Sequence, residues 1–286
     1  MSTFYTFAPK CKDDYRILSD RINMELSKIN EWLEINKLSI NVDKTKYMIF
    51  HNRQRKLDMY DQLKLSINNL PIKRTKTFNF LGIVINEFLT WNDHITYISQ
   101  KINPVVGLLN RLKHQLPTAI LKMIYNSLIL SRLHYGNILW GNNPGSLIRL
   151  NKRALRAIVN AGINTHTNPI EKKLNLLSIS DIHNTKILCL YKNLIDKRAP
   201  QNIQKIFSDV LCNQTQKAPR TQHFQSSPRF ELPEYISTAP PELLARIYDE
   251  KYLLFKKHIK EFFIERYSSL CTQIGCASCH LHIKIN

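Results

Sequence analysis

The sequence predicts an α+β fold in which helix outweighs strand. Strand-like segments rich in aromatic and β-branched side chains are short and lie within residues 37–91, separated by polar turns. Apolar side chains recur every three to four positions in residues 14–36, and again over most of the chain after Trp91. With 43% apolar residues among 286, the chain has enough apolar side chains for a sizeable core.

The charge of the chain is strongly positive and unevenly distributed. It carries 41 Lys and Arg against 22 Asp and Glu, a formal net charge of +19. Residues 91–165 hold nine basic side chains and a single acidic one, Asp93. This imbalance indicates a polyanionic partner, most often nucleic acid. The alternative is that a Lys-, Asn- and Ile-rich composition reflects an AT-rich genome.

The six cysteines and the absence of long apolar runs favour an intracellular protein. The cysteines are dispersed and no secretory leader is visible, so we expect reduced thiols in the cytoplasm or nucleus. No apolar run approaches the roughly 20 residues that cross a membrane, so we expect no membrane partner.

The N-terminal third predicts one helix followed by several strands. The helix covers residues 14–36, and Trp32 is assigned to its buried stripe. Residues 46–50 predict a strand, and the Asn68-Asn69 pair between strand-like segments predicts a hairpin. Residues 78–86 predict a nearly continuous apolar strand, in which Gly82 indicates a bulge or a close approach of another backbone.

Linked motifs in this third resemble the reverse transcriptase of non-LTR (LINE-type, jockey- or CR1-like) retrotransposons. The first resembles palm motif D and contains Leu38, Asn41, Lys44-Thr45-Lys46, Met48 and Phe50. The second resembles the primer-grip motif E and contains Phe80-Leu81-Gly82, followed by Leu89-Thr90-Trp91 and His94-Ile95. Residues 125–129 and 133–141 resemble the helical thumb that follows motif E.

The resemblance implies three regions. Residues 1–90 would be the C-terminal part of the palm, a partial β-sheet with one packed helix. Residues 91–165 would be the helical thumb. Residues 166–286 would be a helical C-terminal extension with a proline-containing linker near 212–240.

By the same resemblance, the chain is a fragment of an RNA-directed DNA polymerase that contacts the primer–template duplex. The intact enzyme would use two Mg²⁺ ions held on palm aspartates. The sequence contains no Tyr-Ala-Asp-Asp hairpin, so we expect no cofactor in this chain and no activity of the chain alone. A candidate partner is the missing fingers and palm portion. The alternatives are a host-retained, noncatalytic nucleic-acid-binding protein and an inert retrotransposon relic.

Two groups of candidate site residues follow from the palm motifs. Lys44 could contact the incoming triphosphate or protonate the pyrophosphate leaving group, or it could be one of many surface lysines. Phe80, Leu81 and Gly82 would grip the primer terminus through their backbone groups.

The candidate nucleic-acid-binding residues lie on a helix predicted over residues 144–161. Arg149, Arg153 and Arg156 share one face by their spacing, and Lys152 lies beside them. With almost no acidic residues nearby, this face predicts a phosphate track that positions a duplex without reading its sequence. The alternative is a helix that only needs a soluble face.

The C-terminus offers a weaker metal candidate. Cys271, Cys276, Cys279 and His280 could supply four zinc ligands. Their order differs from the usual zinc knuckle, and two adjacent ligands fit poorly around a tetrahedral ion. The alternative is an unstructured end that carries thiols.

Overall fold

The computed structural model describes residues 12–51, 63–208 and 227–267. The chain divides into two compact units, Met1–Asp93 and His94–Asn286. The described strands all lie in the first unit, and most of the helices lie in the second. The prediction of an α+β, mostly helical fold is therefore confirmed. The division of the helical part near residue 165 stays a prediction.

Helix α1, Lys12–Ile35, is held against the strands of the first unit by one side of its surface. Ile22 and Leu26 pack on a cluster that contains the buried Leu65, Ile67 and Ile72. The Asn23 side chain donates to the Lys64 carbonyl at 3.1 Å and accepts from the Ser66 amide at 3.0 Å. This amide side chain thereby fixes the strand that begins at Ser66 against the helix.

The assignment of Trp32 to the buried stripe of α1 is wrong. Its side chain is 56% exposed. Successive residues on an α-helix are rotated by roughly 100°, so Trp32 lies about a third of a turn away from the line through Leu26 and Leu33. The apolar side chains at Ile17, Met24 and Ile35 are exposed as well.

The strands of the first unit form three two-stranded pairs. β1 (Lys46–Tyr47) pairs in parallel with β4 (Lys73–Arg74), β2 (Ser66–Ile67) pairs with β3 (Leu70–Pro71), and β5 (Thr77–Phe80) pairs with β6 (Ile83–Asn86), the last two pairs antiparallel. The predicted hairpin at Asn68-Asn69 is confirmed, because both residues have positive φ, 49° and 63°, as a tight hairpin turn requires. The strand predicted over residues 46–50 is limited to its first two residues.

A series of long and short helices builds the second unit. Their bounds are α2 Asn92–Leu112, α3 Thr118–Tyr125, a π-helix Asn126–Leu130, α4 Ser131–His134, α5 Asn137–Trp140, α6 Ser146–Ile158, α7 Asn168–Leu174, α8 Ile179–Ile195, α9 Gln201–Ile206, α10 Pro228–Thr238, α11 Pro241–Asp249 and α12 Tyr252–Arg266. None of the helices in the described residues is both long enough and apolar enough to cross a membrane.

The π-helix joins α3 to α4 without breaking the chain direction. The Ser131 amide donates to the carbonyl of Asn126, five residues earlier, which is the π-type bond. The Ser127 hydroxyl donates to the Met123 carbonyl at 3.0 Å, and the Ser131 hydroxyl donates to the Ser127 carbonyl at 2.5 Å. These hydroxyls supply donors to backbone carbonyls in the wider turn.

Helix α8 contributes to two apolar clusters of the second unit. One side of α8 packs Leu188 and Cys189 with Phe255 and Ile259 of α12. Another side packs Ile187 and Leu194 in a cluster that includes the fully buried Leu232 of α10. Lys192 is buried between the Asp196 carboxylate at 2.9 Å and the Ile247 carbonyl at 2.6 Å, which satisfies its charge inside the unit.

Part of the predicted linker is helical. Residues 228–238 form α10, whereas a linker or flexible strand was expected there. Pro228 occupies the first turn, where proline is tolerated, and burial of Leu232 stabilises the helix against α8. Residues 209–226 of the same stretch lie outside the described part of the chain.

Candidate nucleic-acid interface

The basic residues predicted to bind nucleic acid all lie on one face of α6. Arg149, Lys152, Arg153 and Arg156 fall within a sector of about 100°, given the 100° rotation per residue. The opposite face carries the buried side chains Leu147, Ala154, Leu155 and Ile158. The helix is therefore divided into a cationic half and an apolar half.

The four basic side chains differ in what they contact. Arg149 and Arg153 are exposed, and within residues 12–51, 63–208 and 227–267 neither forms an ion pair. Lys152 is exposed, and its charge interacts with Glu171 of α7. Arg156 is half-buried, and its Nε donates to the Thr165 carbonyl at 2.7 Å. Arg149 and Arg153 are thus the side chains most available to an anion, whereas Arg156 also holds the loop that follows α6.

One buried contact and one half-buried contact fix the orientation of α6. The Tyr125 hydroxyl of α3 donates to Asn151 Oδ1 at 2.8 Å, and both residues are buried. At the start of the helix, the hydroxyls of Ser146 and Ser99 are 3.1 Å apart and share a hydrogen bond. α3 and α2 therefore hold the apolar half of α6 inward, and the cationic half is left to solvent.

The predicted primer-grip residues form a hairpin tip. Phe80 of β5 lies opposite Ile83 of β6, so Leu81 and Gly82 are the two turn residues. Both have positive φ, 48° and 82°, as in the tight turn that matches the twist of paired strands. The prediction of a continuous strand with Gly82 inside it is wrong, because the chain reverses direction at this pair. The glycine meets a backbone requirement of the turn.

The tip of this hairpin is apolar and exposed. Leu81 is 76% exposed, and Phe78 and Phe80 are 40% and 41% exposed. Phe78 and Phe80 are two positions apart on one strand, so they lie on the same face of the hairpin. The exposed aromatic pair stands next to a turn whose backbone conformation is tightly defined.

The base of the hairpin is anchored by Asn86, which the sequence analysis did not single out. Its Nδ2 donates to Thr90 Oγ1 and to Asp93 Oδ2, both at 2.7 Å, and its Oδ1 accepts from the Thr90 amide at 2.8 Å. Asn86 and Thr90 are buried. The hydrogen bonds of the Asn86 side chain thus hold the Leu89-Thr90-Trp91 motif in a turn at the end of β6. An asparagine four residues before a threonine was the available signal.

Lys44 lies in a polar turn of the first unit. Its amide donates to the Asn41 carbonyl at 3.2 Å and to Asn41 Oδ1 at 3.0 Å. Its side chain is exposed. This geometry fits a surface lysine as well as one that contacts a phosphate, and both interpretations stay predictions.

The metal candidates fall outside the described residues. Cys271, Cys276, Cys279 and His280 all lie beyond residue 267. Within the described ranges, no group of three or more His, Cys, Asp and Glu side chains could hold a metal ion.

The comparisons with known proteins give one relative. The chain is 26% identical over 163 residues to the RNA-directed DNA polymerase from mobile element jockey of Drosophila melanogaster. The match covers 54% of this chain but only 17% of that relative's length. No protein-family model matches the chain, and no solved structure matches it.

This similarity supports a distant relationship to a non-LTR reverse transcriptase, as the motifs indicate. The chain spans about a sixth of the length of the polymerase it matches. The assignment to the palm end, the primer grip and the thumb stays a prediction.

Proposed function

We propose that this chain binds a primer–template duplex as part of an RNA-directed DNA polymerase of the non-LTR type. The observation that carries the proposal is the cationic half of α6, where Arg149 and Arg153 are exposed without a carboxylate partner among the described residues. Guanidinium groups on a rigid helix face suit repeated phosphate oxygens. The similarity to the jockey polymerase supports nucleic acid as the anion.

The contacts made by α6 would position the duplex without reading its sequence. Arg149 and Arg153 are one helical turn apart, so they can reach phosphates along one strand. Each phosphate that they neutralise releases counterions, and the binding constant then falls as salt is added. Affinity should therefore be similar for duplexes of unrelated sequence.

The hairpin tip would make a different kind of contact. Exposed Phe78 and Phe80 offer aromatic faces on which unpaired bases can stack, and the Leu81-Gly82 turn offers backbone groups. In the proposed role, this tip holds the primer end. Within the described residues no group of three or more His, Cys, Asp and Glu side chains could hold a metal ion, so the proposal places Mg²⁺ binding in another part of the polymerase. Such a partner implies an intracellular location, in the cytoplasm or nucleus.

The test of the α6 contact is the salt dependence of binding. We would measure the affinity of the chain for a fluorescein-labelled RNA–DNA hybrid by anisotropy at several KCl concentrations. The slope of log K against log salt is negative, and the double variant Arg149→Gln/Arg153→Gln should make it less steep by roughly 2, about 0.9 for each lost phosphate contact.

The matched control is Arg198→Gln/Arg246→Gln. These arginines also lie on the second unit, but they pair with Asp196 at 3.7 Å and Glu250 at 3.4 Å. The control should leave the slope nearly unchanged. An unchanged slope in the α6 variant, or an equal fall in both variants, would overturn the phosphate-track proposal.

Primer extension tests the catalytic part of the proposal. The chain incubated with a primed RNA template, the four deoxynucleotide triphosphates and Mg²⁺ should leave the primer unextended while still binding it. Extension of the primer would show that the chain polymerises by itself and would overturn this part.

A further inference from the structure

A second set of basic residues surrounds the apolar contact between α8 and α12. This contact buries Leu188, Phe255 and Ile259, and Leu130 of the π-helix packs against the same cluster. The cluster therefore brings three elements together: α8, α12 and the segment that runs from α3 through the π-helix to α4. Basic side chains lie on each of them.

The basic residues of this set are Lys122 of α3, Lys186 of α8, and Lys256 and Lys260 of α12. Lys256 and Lys260 are one helical turn apart, and each follows a buried residue, Phe255 and Ile259. They therefore flank the apolar contact. Within the described part of the chain, none of the four forms an ion pair.

The electrostatics show that these positive charges act on one another. The pKa of Lys186 is lowered by burial and then by the charge of Lys256, and the pKa of Lys260 is lowered by burial and then by Lys122. The pKa of His134 is lowered to about 4 by partial burial of its ring, and further by Lys186, Lys256 and Lys260. Like charges held this close repel one another, so the arrangement costs stability unless an anion joins it.

We propose that Lys122, Lys186, Lys256 and Lys260 form a second phosphate-binding surface for nucleic acid, built on α3, α8 and α12 rather than on α6. The inference rests on the proposed function, because it assumes that the chain binds nucleic acid. It adds a surface that the sequence motifs did not indicate. We call this set of four residues the lysine cluster.

Phosphate is the ligand class that fits the lysine cluster best. Four ammonium groups from three helices present many donors without a fixed planar geometry, which suits the oxygens of successive phosphates. The described neighbours that perturb Lys186, Lys260 and His134 are basic groups and the Cys189 thiol, not carboxylates. A bound phosphate backbone would offset the repulsion among the lysines.

The first test uses the unmodified protein. The chain is acetylated with a water-soluble N-hydroxysuccinimide ester, with and without a saturating RNA–DNA hybrid, and modified lysines are quantified by mass spectrometry. The four lysines of the cluster should react several-fold more slowly in the complex. Lys172 and Lys173, exposed on α7, and Lys257, which pairs with Glu261 at 3.7 Å, should change little.

The same experiment separates this inference from the proposed function. Lys152 lies on the cationic half of α6 and reports that surface. Protection of Lys152 alone would overturn the second surface and leave the proposed α6 contact standing. Protection of the lysine cluster alone would support the second surface and overturn the α6 contact. If no lysine were protected, both would fail.

Substitution provides the second test. The variant Lys122→Gln/Lys186→Gln/Lys256→Gln/Lys260→Gln should make the negative slope of log K against log salt less steep by about 3 to 4. The control Lys172→Gln/Lys173→Gln/Lys205→Gln/Lys257→Gln removes the same number of charges and should have a much smaller effect. The cluster variant should melt at the same temperature as the parent or higher, because repulsion is removed. An unchanged slope in a folded cluster variant would overturn the inference.

Discussion

The hydroxyl of Tyr125 donates a hydrogen bond to Asn151 Oδ1 at 2.8 Å, and neither side chain is appreciably exposed. The bond joins α3 to α6 behind the cationic half of α6. Burial raises the pKa of Tyr125 well above its usual value, so the phenol stays protonated and keeps its role as donor. The orientation of the proposed interface therefore depends in part on this buried neutral hydrogen bond.

Removing the donor of this pair should destabilise the second unit. Tyr125→Phe leaves Asn151 Oδ1 buried without its partner, and we expect a loss of about 1–3 kcal/mol in the free energy of unfolding. Urea denaturation followed by circular dichroism measures the loss. The double variant Tyr125→Phe/Asn151→Leu removes both polar groups and should recover much of it. A double variant less stable than the single one would argue against this account.

Glu171 should make stability depend on pH. Its pKa is raised to about 7, first by burial and then by the negative charge of Asp181. Between about pH 4.5 and 7, the folded chain binds a proton at this carboxyl that the unfolded chain has released. Its contribution to stability is therefore complete below pH 4.5 and is lost as the pH rises to about 7.

The rise in the pKa of Glu171 from 4.5 to about 7 corresponds to a contribution of about 3 kcal/mol to the free energy of unfolding. Glu171→Gln keeps a neutral side chain at every pH, so it should be more stable than the parent at pH 8 and similar at pH 4.5. Denaturant unfolding at both pH values measures the difference. The lowered pKa of His134 makes stability rise with pH instead. This effect is present in both variant and parent, so it cancels from the difference between them. A constant difference between the two proteins would contradict the prediction.

The hairpin tip offers a pair of substitutions with opposite expected signs. Gly82→Ala places a Cβ at a φ of 82° and should destabilise the hairpin by about 1–2 kcal/mol. Leu81→Asn creates the Asn-Gly pair that this turn prefers, and should stabilise the hairpin by up to about 1 kcal/mol. Both effects can be measured by hydrogen exchange of the full chain, followed by digestion and mass spectrometry of a peptide that covers residues 77–86. If the backbone amides of this peptide were equally protected from exchange in the two variants, the turn geometry would not determine the stability of the hairpin.

Two glycines of the second unit should respond differently to alanine. A Cβ at Gly141 would lie 2.6 Å from the Asn137 carbonyl oxygen, whereas a Cβ at Gly107 would meet nothing within 4 Å. We expect Gly141→Ala to cost about 1–3 kcal/mol, because the backbone must shift. Gly107→Ala, inside α2, should stabilise the chain by up to about 1 kcal/mol. Thermal unfolding of the two variants side by side provides the comparison.

Local patterns predicted the long helices and one hairpin. The periodicity of apolar residues located α1 and α6, and the Asn68-Asn69 pair located the turn between β2 and β3. These features depend on side chains within a few positions of one another, so the sequence carries them directly. Whether the basic residues on α6 bind nucleic acid stays a prediction.

Features that depend on tertiary contacts could not be predicted in this way. Trp32 was assigned to the buried stripe because it is apolar, but the strands cover a different side of α1. A turn near Gly82 was implied only by the resemblance to the primer grip, because leucine is an unusual residue at positive φ and the residue pattern predicts a strand. The lysine cluster was missed because its members lie on three helices that are far apart in sequence, and only the packing around the shared apolar contact brings these helices together.

The π-helix at residues 126–130 has a consequence for how the gene can change. A single turn of this kind is geometrically equivalent to one residue inserted into a regular α-helix. Deleting one codon within this stretch should restore uninterrupted α geometry and leave the orientation of the following segment nearly unchanged, because the wide turn absorbs the extra residue. The same deletion in a regular α-helix turns everything that follows by roughly 100° and shifts it by about 1.5 Å. After loss of Ser127, for example, Leu130 would still face the contact between α8 and α12. In-frame loss of one codon here should therefore be tolerated better than loss of one codon within a regular helix such as α8.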